Sequence, residues 1–211
     1  MSQPVELFGY PVLGRLGEGA ASTIYRIRDP QSGEEHALKH VVKRGDKDQR
    51  FIDQVVEEHR IGSRFGHESI RRIGRLLRKR RKFRVAEVGL IMEYVDAPGL
   101  DSSRENSLLE NIRIFTRIAE GLLSMHEAGV VHADIKPPNV LVDGSIVKII
   151  DLGQACPIGT TKERIQGTPG YIAPEQAHRR RITERTDVYN LGATMDWVLS
   201  GEVIPAALPP G

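Results

Sequence analysis

Asp134, Lys136 and Asn139 stand within the string Val131-His-Ala-Asp-Ile-Lys-Pro-Pro-Asn-Val-Leu141. If that string is a tight loop, the three side chains converge. A carboxylate at Asp134 can take the proton of an attacking hydroxyl. The Lys136 ammonium can neutralise charge on a group in transfer, and the Asn139 amide oxygen can ligate a magnesium ion. Asp151, in the run Asp151-Leu-Gly153, adds a second hard oxygen donor at a strand end, freed by the glycine.

Two further features suit a polyphosphate. Leu16-Gly-Glu-Gly-Ala-Ala-Ser-Thr-Ile24 holds Gly17 and Gly19, which let backbone N–H groups approach phosphate oxygens. Lys39, in His36-Ala-Leu-Lys39, gains meaning if a carboxylate on the following helix holds its ammonium toward phosphates. Glu58 suits that role better than Glu57. Ile61 and Phe65 fall three and seven residues after Glu58, whereas the same steps from Glu57 meet Arg60 and Arg64.

These residues need elements to position them, and the pattern supplies them in order. Ile24, Tyr25 and Ile27 alternate with small or charged residues as in a half-buried strand, and Asp29-Pro-Gln-Ser-Gly33 is turn chemistry leading to a strand at His36–Val42. A helix is expected from about Asp48 to Phe65, with strands again near Ile73–Leu77 and Val85–Val95. Leu108, Ile112, Phe115, Ala119, Leu122 and His126 recur at helical steps up to Gly129. Val140–Val142 and Ile146–Ile150 read as a hairpin about Asp143-Gly144, and a last helix runs from about Asp187 to Leu199. The expectation is an α+β protein of two lobes: residues 1–95, an antiparallel β lobe with one helix, and residues 96–211, mainly helical. A hinge is expected near Met92–Leu100, and clefts between lobes favour ligands.

Bulk properties narrow the classes. The 211 residues, 39% hydrophobic and 27% charged, describe a soluble globular chain large enough to bury a core. No run approaches the length of a membrane span, and the N-terminus lacks the basic start of a secretory signal. A single cysteine, Cys156, excludes an internal disulfide and fits a cytoplasmic location. The net charge of +2 names no partner. It conceals a basic run, however: nine of the 30 Lys and Arg residues lie between Arg71 and Arg84. That run reads either as a solvated hairpin tip or as a docking patch for an acidic partner or a nucleic acid.

Taken with Gly167-Thr-Pro-Gly-Tyr-Ile-Ala-Pro-Glu175 and Thr186-Asp-Val-Tyr-Asn-Leu-Gly192, the ordered set of motifs resembles the protein kinase signature from about Tyr10 to Gly201. The resemblance implies a serine/threonine protein kinase catalytic domain of the bacterial, eukaryotic-like type, using ATP and Mg2+ on a protein substrate. On it, Asp134 is the catalytic base with Lys136 beside it, and Asn139 and Asp151 hold the metal. Leu16, Gly17 and Gly19 cover the phosphates, and Lys39, paired with Glu58, contacts them. Ile24, Ala37 and Leu141 sandwich the adenine. Met92 guards its pocket, and the backbones of Glu93 and Val95 bond its edge. Asp187 anchors the catalytic loop. Lys136 and Thr168 place the chain in the serine/threonine branch.

The sequence departs from the family pattern in four places. Ala133 replaces the arginine that binds an activation-loop phosphate, which implies activity without loop phosphorylation. Leu152 replaces a phenylalanine, and Gly62 stands where a large apolar residue packs behind Glu58. The helices that would follow Gly201 in a complete member are missing, so a short large lobe is expected, exposing apolar surface on the last helix. Two rival readings stay open: a small-molecule phosphotransferase of the aminoglycoside-kinase type, and a pseudokinase or nucleotide-binding scaffold. Thr160 and Thr161 are further phosphorylation candidates.

Overall fold

Alternation of apolar and polar residues in the first ninety positions yields one antiparallel sheet. The computed structural model describes residues 4–19, 21–81, 83–102 and 106–202. The chain divides into two units, one built from residues up to Arg64 together with Arg72–Asp96, the other from Phe65–Arg71 and residues from Ala97 on.

The first unit holds strands β1 (Glu6–Leu7), β2 (Tyr10–Glu18), β3 (Ser22–Arg28) and β4 (Glu35–Val42), then helix α1 (Gln49–Gly62) and strands β5 (Ile73–Arg81) and β6 (Arg84–Glu93). The six strands lie in the order β1-β2-β3-β4-β6-β5. The β3–β4 turn follows from its residues: Asp29 Oδ1 accepts the N–H groups of Gln31 (2.8 Å) and Ser32 (3.2 Å), and Gly33 takes a left-handed φ of 77°. One face of the sheet buries Ala37, Val41, Val88, Leu90 and Met92 against Ile52 and Val55 of α1. The other buries Tyr10, Ile27, Leu38 and Ile91. Each fully buried Val, Leu, Ile or Met among them contributes about 1.5–3 kcal/mol of apolar burial.

Two expectations from the sequence need correction. The helix after β4 closes at Gly62, and Phe65 falls outside it and in the second unit, so Phe65 is not part of the face that carries Glu58. The basic run is not a uniformly solvated tip. Arg71 is buried, Arg75 donates to the Tyr10 hydroxyl, and Lys79 faces Glu87 at 3.4 Å. Lys82 lies outside the described residues.

The second unit contains α2 (Leu108–Glu127), β7 (Val130–Val131), the hairpin β8 (Val140–Asp143) and β9 (Ile146–Ile149), β10 (Cys156–Pro157), α3 (Pro174–Ala177) and α4 (Glu184–Ser200). Ser107 and Glu110 form a reciprocal cap at the start of α2: Ser107 Oγ accepts from Glu110 N–H (3.3 Å), and Glu110 Oε2 from Ser107 N–H (2.8 Å). Gly201, at φ 75°, ends α4 in the left-handed region glycine favours. The buried stripe of α2 is Asn111, Ile114, Phe115, Ile118, Gly121, Leu122 and Met125, while Leu108 and Ile112 are exposed. The apolar face expected from the sequence is therefore displaced by about one position. β7 and β10 pair and pack Val131, Ala133 and Cys156 against Ile182. On α4, Val188 and Leu199 are exposed. The final residues Ala206 to Gly211, on which the expectation of a short lobe rests, lie outside the described residues. Among those described, no helix is long and apolar enough to cross a membrane.

Candidate active site

The loop between β7 and the β8–β9 hairpin is held by one buried carboxylate. Asp187, fully buried near the start of α4, accepts the backbone N–H groups of His132 (2.9 Å, Oδ2) and Ala133 (2.7 Å, Oδ1), and also His126 Nε2 (2.8 Å). Two adjacent N–H groups can converge on one carboxylate because Ala133 sits at φ 62°, in the left-handed region. That conformation costs about 1–2 kcal/mol for a non-glycine residue, and the two charge-assisted bonds offset it. His132, also fully buried, accepts at Nδ1 from Asp134 N–H (3.2 Å) and meets the Ile150 carbonyl through Nε2 (3.3 Å). Those two partners assign the proton to Nε2.

The loop gathers Asp134, Lys136 and Asn139 as their spacing suggests. Asp134 is 8% exposed. Its Oδ2 lies 3.1 Å from Lys136 Nζ and 3.2 Å from Asn139 Nδ2, which also donates to the Asp134 carbonyl (2.8 Å). Its Oδ1 accepts the Thr168 hydroxyl (3.2 Å), and that hydroxyl in turn accepts from Lys136 Nζ (2.7 Å). The carboxylate thus points its acceptor atoms at a hydroxyl and an ammonium, an arrangement suited to receiving a hydroxyl proton next to developing negative charge.

Asp151 follows β9 at φ 61°, with Oδ1 facing Gly153 N–H at 3.4 Å. The hairpin brings Asn139 and Asp151 to one end, since Ile150 N–H donates to the Asn139 carbonyl (2.8 Å) next to the Val140–Ile149 pair. An amide oxygen and a carboxylate are hard donors that fit a divalent cation such as Mg2+, which takes one or two such protein ligands and fills its shell with phosphate and water. Leu141 lies on β8 beside them, half-buried.

The first unit carries the remaining predicted residues. Lys39 Nζ on β4 meets Glu58 Oε2 on α1 at 2.7 Å, with Glu58 1% exposed, whereas Glu57 pairs with Arg60 at the surface. Leu16 and Gly17 end β2, Ile24 lies on β3, and Gly19 closes the turn by donating to the Ser22 carbonyl (2.8 Å). Ala20 lies outside the described residues. Ala37 is 1% exposed and pairs in register with Met92. The Glu93 N–H donates to the Arg72 carbonyl (2.9 Å), so Glu93 can offer an adenine edge only its own carbonyl. Val95 follows β6, half-buried.

The sequence reading missed a second layer. Gln176 accepts from Ala173 N–H (2.9 Å) and donates to the Ala133 carbonyl (2.8 Å), and Asn190 donates to the Tyr171 carbonyl (2.5 Å) and to Gln176 (3.2 Å). Glu175 Oε1 accepts the Thr186 hydroxyl (2.6 Å). The signal was available: Asp187, Asn190 and Thr194 repeat at helical spacing, and that polar stripe is the buried face of α4.

The family model for the protein kinase domain matches residues 10–207, and the chain belongs to that family. Family membership implies, in general terms, ATP as phosphoryl donor, a divalent metal and protein substrates. Among curated proteins, the chain is similar to the serine/threonine-protein kinase AfsK of Streptomyces griseus, 32% identical over 94% of this chain and 25% of that protein. It is also similar to a probable serine/threonine-protein kinase of Clostridium acetobutylicum, 28% identical over 92% of this chain and 30% of that protein. A human relative, myosin light chain kinase family member 4, is 28% identical over 88% of this chain and 48% of that protein. The chain spans less than half the length of each.

Proposed function

We propose that this chain is a serine/threonine protein kinase that moves the γ-phosphoryl group of ATP onto serine or threonine hydroxyls of protein substrates, with Mg2+ as its metal. The observation that carries the reading is the Asp134 carboxylate, nearly buried, with Lys136 Nζ, Asn139 Nδ2 and the Thr168 hydroxyl all within 3.2 Å. In this role Asp134 orients the acceptor hydroxyl and takes its proton. The acceptor oxygen bonds to phosphorus while the bond to the bridging oxygen breaks and ADP leaves. Lys136 offsets charge on the phosphoryl oxygens during that exchange. The metal, when bound, neutralises phosphate charge, and Asn139 and Asp151 are the residues that would hold it. Lys39, fixed by Glu58, serves the α- and β-phosphates, and the backbone of Leu16, Gly17 and Gly19 covers them. Ile24, Ala37 and Leu141 contact the adenine, with Glu93 and Val95 at its edge.

Division of the kinase into a nucleotide-binding part, residues 1–95, and a catalytic part from residue 96 belongs to the same proposal, as does a cytoplasmic location, supported by the single cysteine of the sequence, Cys156, which allows no internal disulfide. So does activity without loop phosphorylation. The Ala133 backbone is fixed by Asp187 and Gln176, neutral or fully buried partners that need no phosphate. An acidic partner or a nucleic acid would meet the basic run at Arg78, Arg80, Arg81 and Arg84, its exposed members without an acidic partner among the described residues.

Incubation with labelled ATP, magnesium and a generic basic protein tests the reading. The expected product is phosphoserine or phosphothreonine, abolished by chelation of the metal. Label on an aminoglycoside and on no protein would instead establish small-molecule transfer.

A further inference from the structure

The β5–β6 hairpin ends in residues whose placement folding does not explain. The Arg81–Arg84 pair leaves a two-residue connection, Lys82-Phe83, and such connections favour asparagine or glycine because they call for positive φ. Phe83 takes φ 68°, unfavourable for an aromatic residue, and gains no packing in return, being 98% exposed. Arg81 and Arg84 stand directly opposite each other, a like-charge cross-strand pair that also opposes folding.

Cations collar that ring on both sides of the hairpin. Arg78 lies opposite Val88 and Arg80 opposite Val85, on the sheet face that packs against α1, while Arg81 and Arg84 project from the other face. All four are exposed and form no ion pair among the described residues. Residues 73–92 contain one acid, Glu87, which already meets Lys79 (3.4 Å) and His40 Nε2 (3.1 Å). The positive charge of the tip is therefore left for something outside the hairpin to neutralise.

We infer that this tip docks on an anionic lipid bilayer, with Phe83 entering the interface and the four arginines resting on lipid phosphates. The inference rests on the reading of the basic run as a docking surface and is independent of phosphate transfer. Contacts of this kind combine apolar insertion with attraction to anionic headgroups, and each arginine near the surface strengthens them by about fivefold. Guanidinium forks also match phosphate oxygens bidentately. A single-stranded nucleic acid, by contrast, is held by successive rings along a groove, and Phe83 is the only aromatic residue in 73–92.

Flotation with vesicles tests this. The wild-type chain is mixed with phosphatidylcholine vesicles, with and without phosphatidylserine, beside the variants Phe83→Ser and Arg80→Gln/Arg81→Gln, each confirmed as folded by circular dichroism. The expected result is at least about tenfold stronger binding to the anionic vesicles, weakened about twentyfold in the arginine variant and reduced by high salt. Phe83→Ser should lose about fivefold or more, while Phe83→Trp keeps the affinity and its added emission moves to the blue on anionic vesicles alone. Equal binding to the two vesicle types, affinity untouched by the variants, or Phe83→Trp emission that does not shift overturns the inference. A chain that ignores vesicles but binds a duplex oligonucleotide through the same arginines overturns it too, while keeping the run as a docking surface. Binding of neither removes both readings.

Discussion

Replacing Asp187 by alanine should both loosen the second unit and silence the chemistry several residues away. Asp187 touches no reacting group. It fixes the His132 and Ala133 backbone just before Asp134, through bonds of 2.9 and 2.7 Å in a fully buried setting. Removing the carboxylate leaves two buried N–H groups unpaired at about 1–3 kcal/mol each, so a loss near 4 kcal/mol is expected. For a chain of this size that corresponds to a melting temperature lower by about 10 °C. Asp187→Asn keeps one acceptor and turns its amide hydrogens toward a donor, so it should lose roughly half as much. Thermal denaturation followed by circular dichroism gives the first quantity. Phosphate transfer below the variant's melting temperature gives the second, and should fall by about a hundredfold or more as Ala133 leaves its left-handed conformation and Asp134 turns away from Lys136. An alanine variant that melts within about 2 °C of wild type and transfers phosphate normally would refute the reasoning.

Three further outcomes follow. Lys39→Met should leave Glu58 without its 2.7 Å partner and weaken ATP use by about a hundredfold, read as labelled phosphate transfer at saturating protein substrate. The double variant Thr160→Ala/Thr161→Ala should keep activity within about threefold of wild type, since no phosphate-dependent contact fixes the loop; a larger loss would show that loop phosphorylation is required. Glu35 is held below its ordinary value of 4.5 by hydrogen bonds from Arg28 and Arg26. A depressed carboxylate contributes stability above its unfolded pKa and loses it as pH falls through the folded one. The melting temperature of Glu35→Gln should therefore change less than that of wild type between about pH 6 and about pH 3, and equal slopes would remove Glu35 from the acid response.

Local chemistry made much of the site legible. Asp134, Lys136 and Asn139 are close in sequence, and prolines and a short hairpin confine their loop, so type and spacing were enough. Glu58 was readable because helical counting puts a charged residue on an apolar face only when it has a buried partner. The details that failed depend on tertiary packing. On α2, Leu108 and Ile112 look like core residues by period, yet the buried stripe runs one position away and includes Asn111 and Gly121. The period fixes the width of a stripe, while the facing elements fix its phase. Likewise Thr161 and Arg181, far apart in sequence, meet in an antiparallel bridge, and no local pattern announces that pairing. Gln176 was invisible for a different reason: one amide gains meaning only once the fold brings it to the buried Ala173 N–H and Ala133 carbonyl, which it bonds.

The measurement that bears most directly on the role of Asp134 is transfer of γ-labelled phosphate from ATP to a basic protein by the wild-type chain and by Asp134→Ala. Label on serine or threonine from wild type, reduced by about a hundredfold or more in the variant, is the predicted result. Equal labelling by the two proteins, or none from a folded wild-type chain that still binds ATP, would contradict Asp134 as the base that receives the hydroxyl proton.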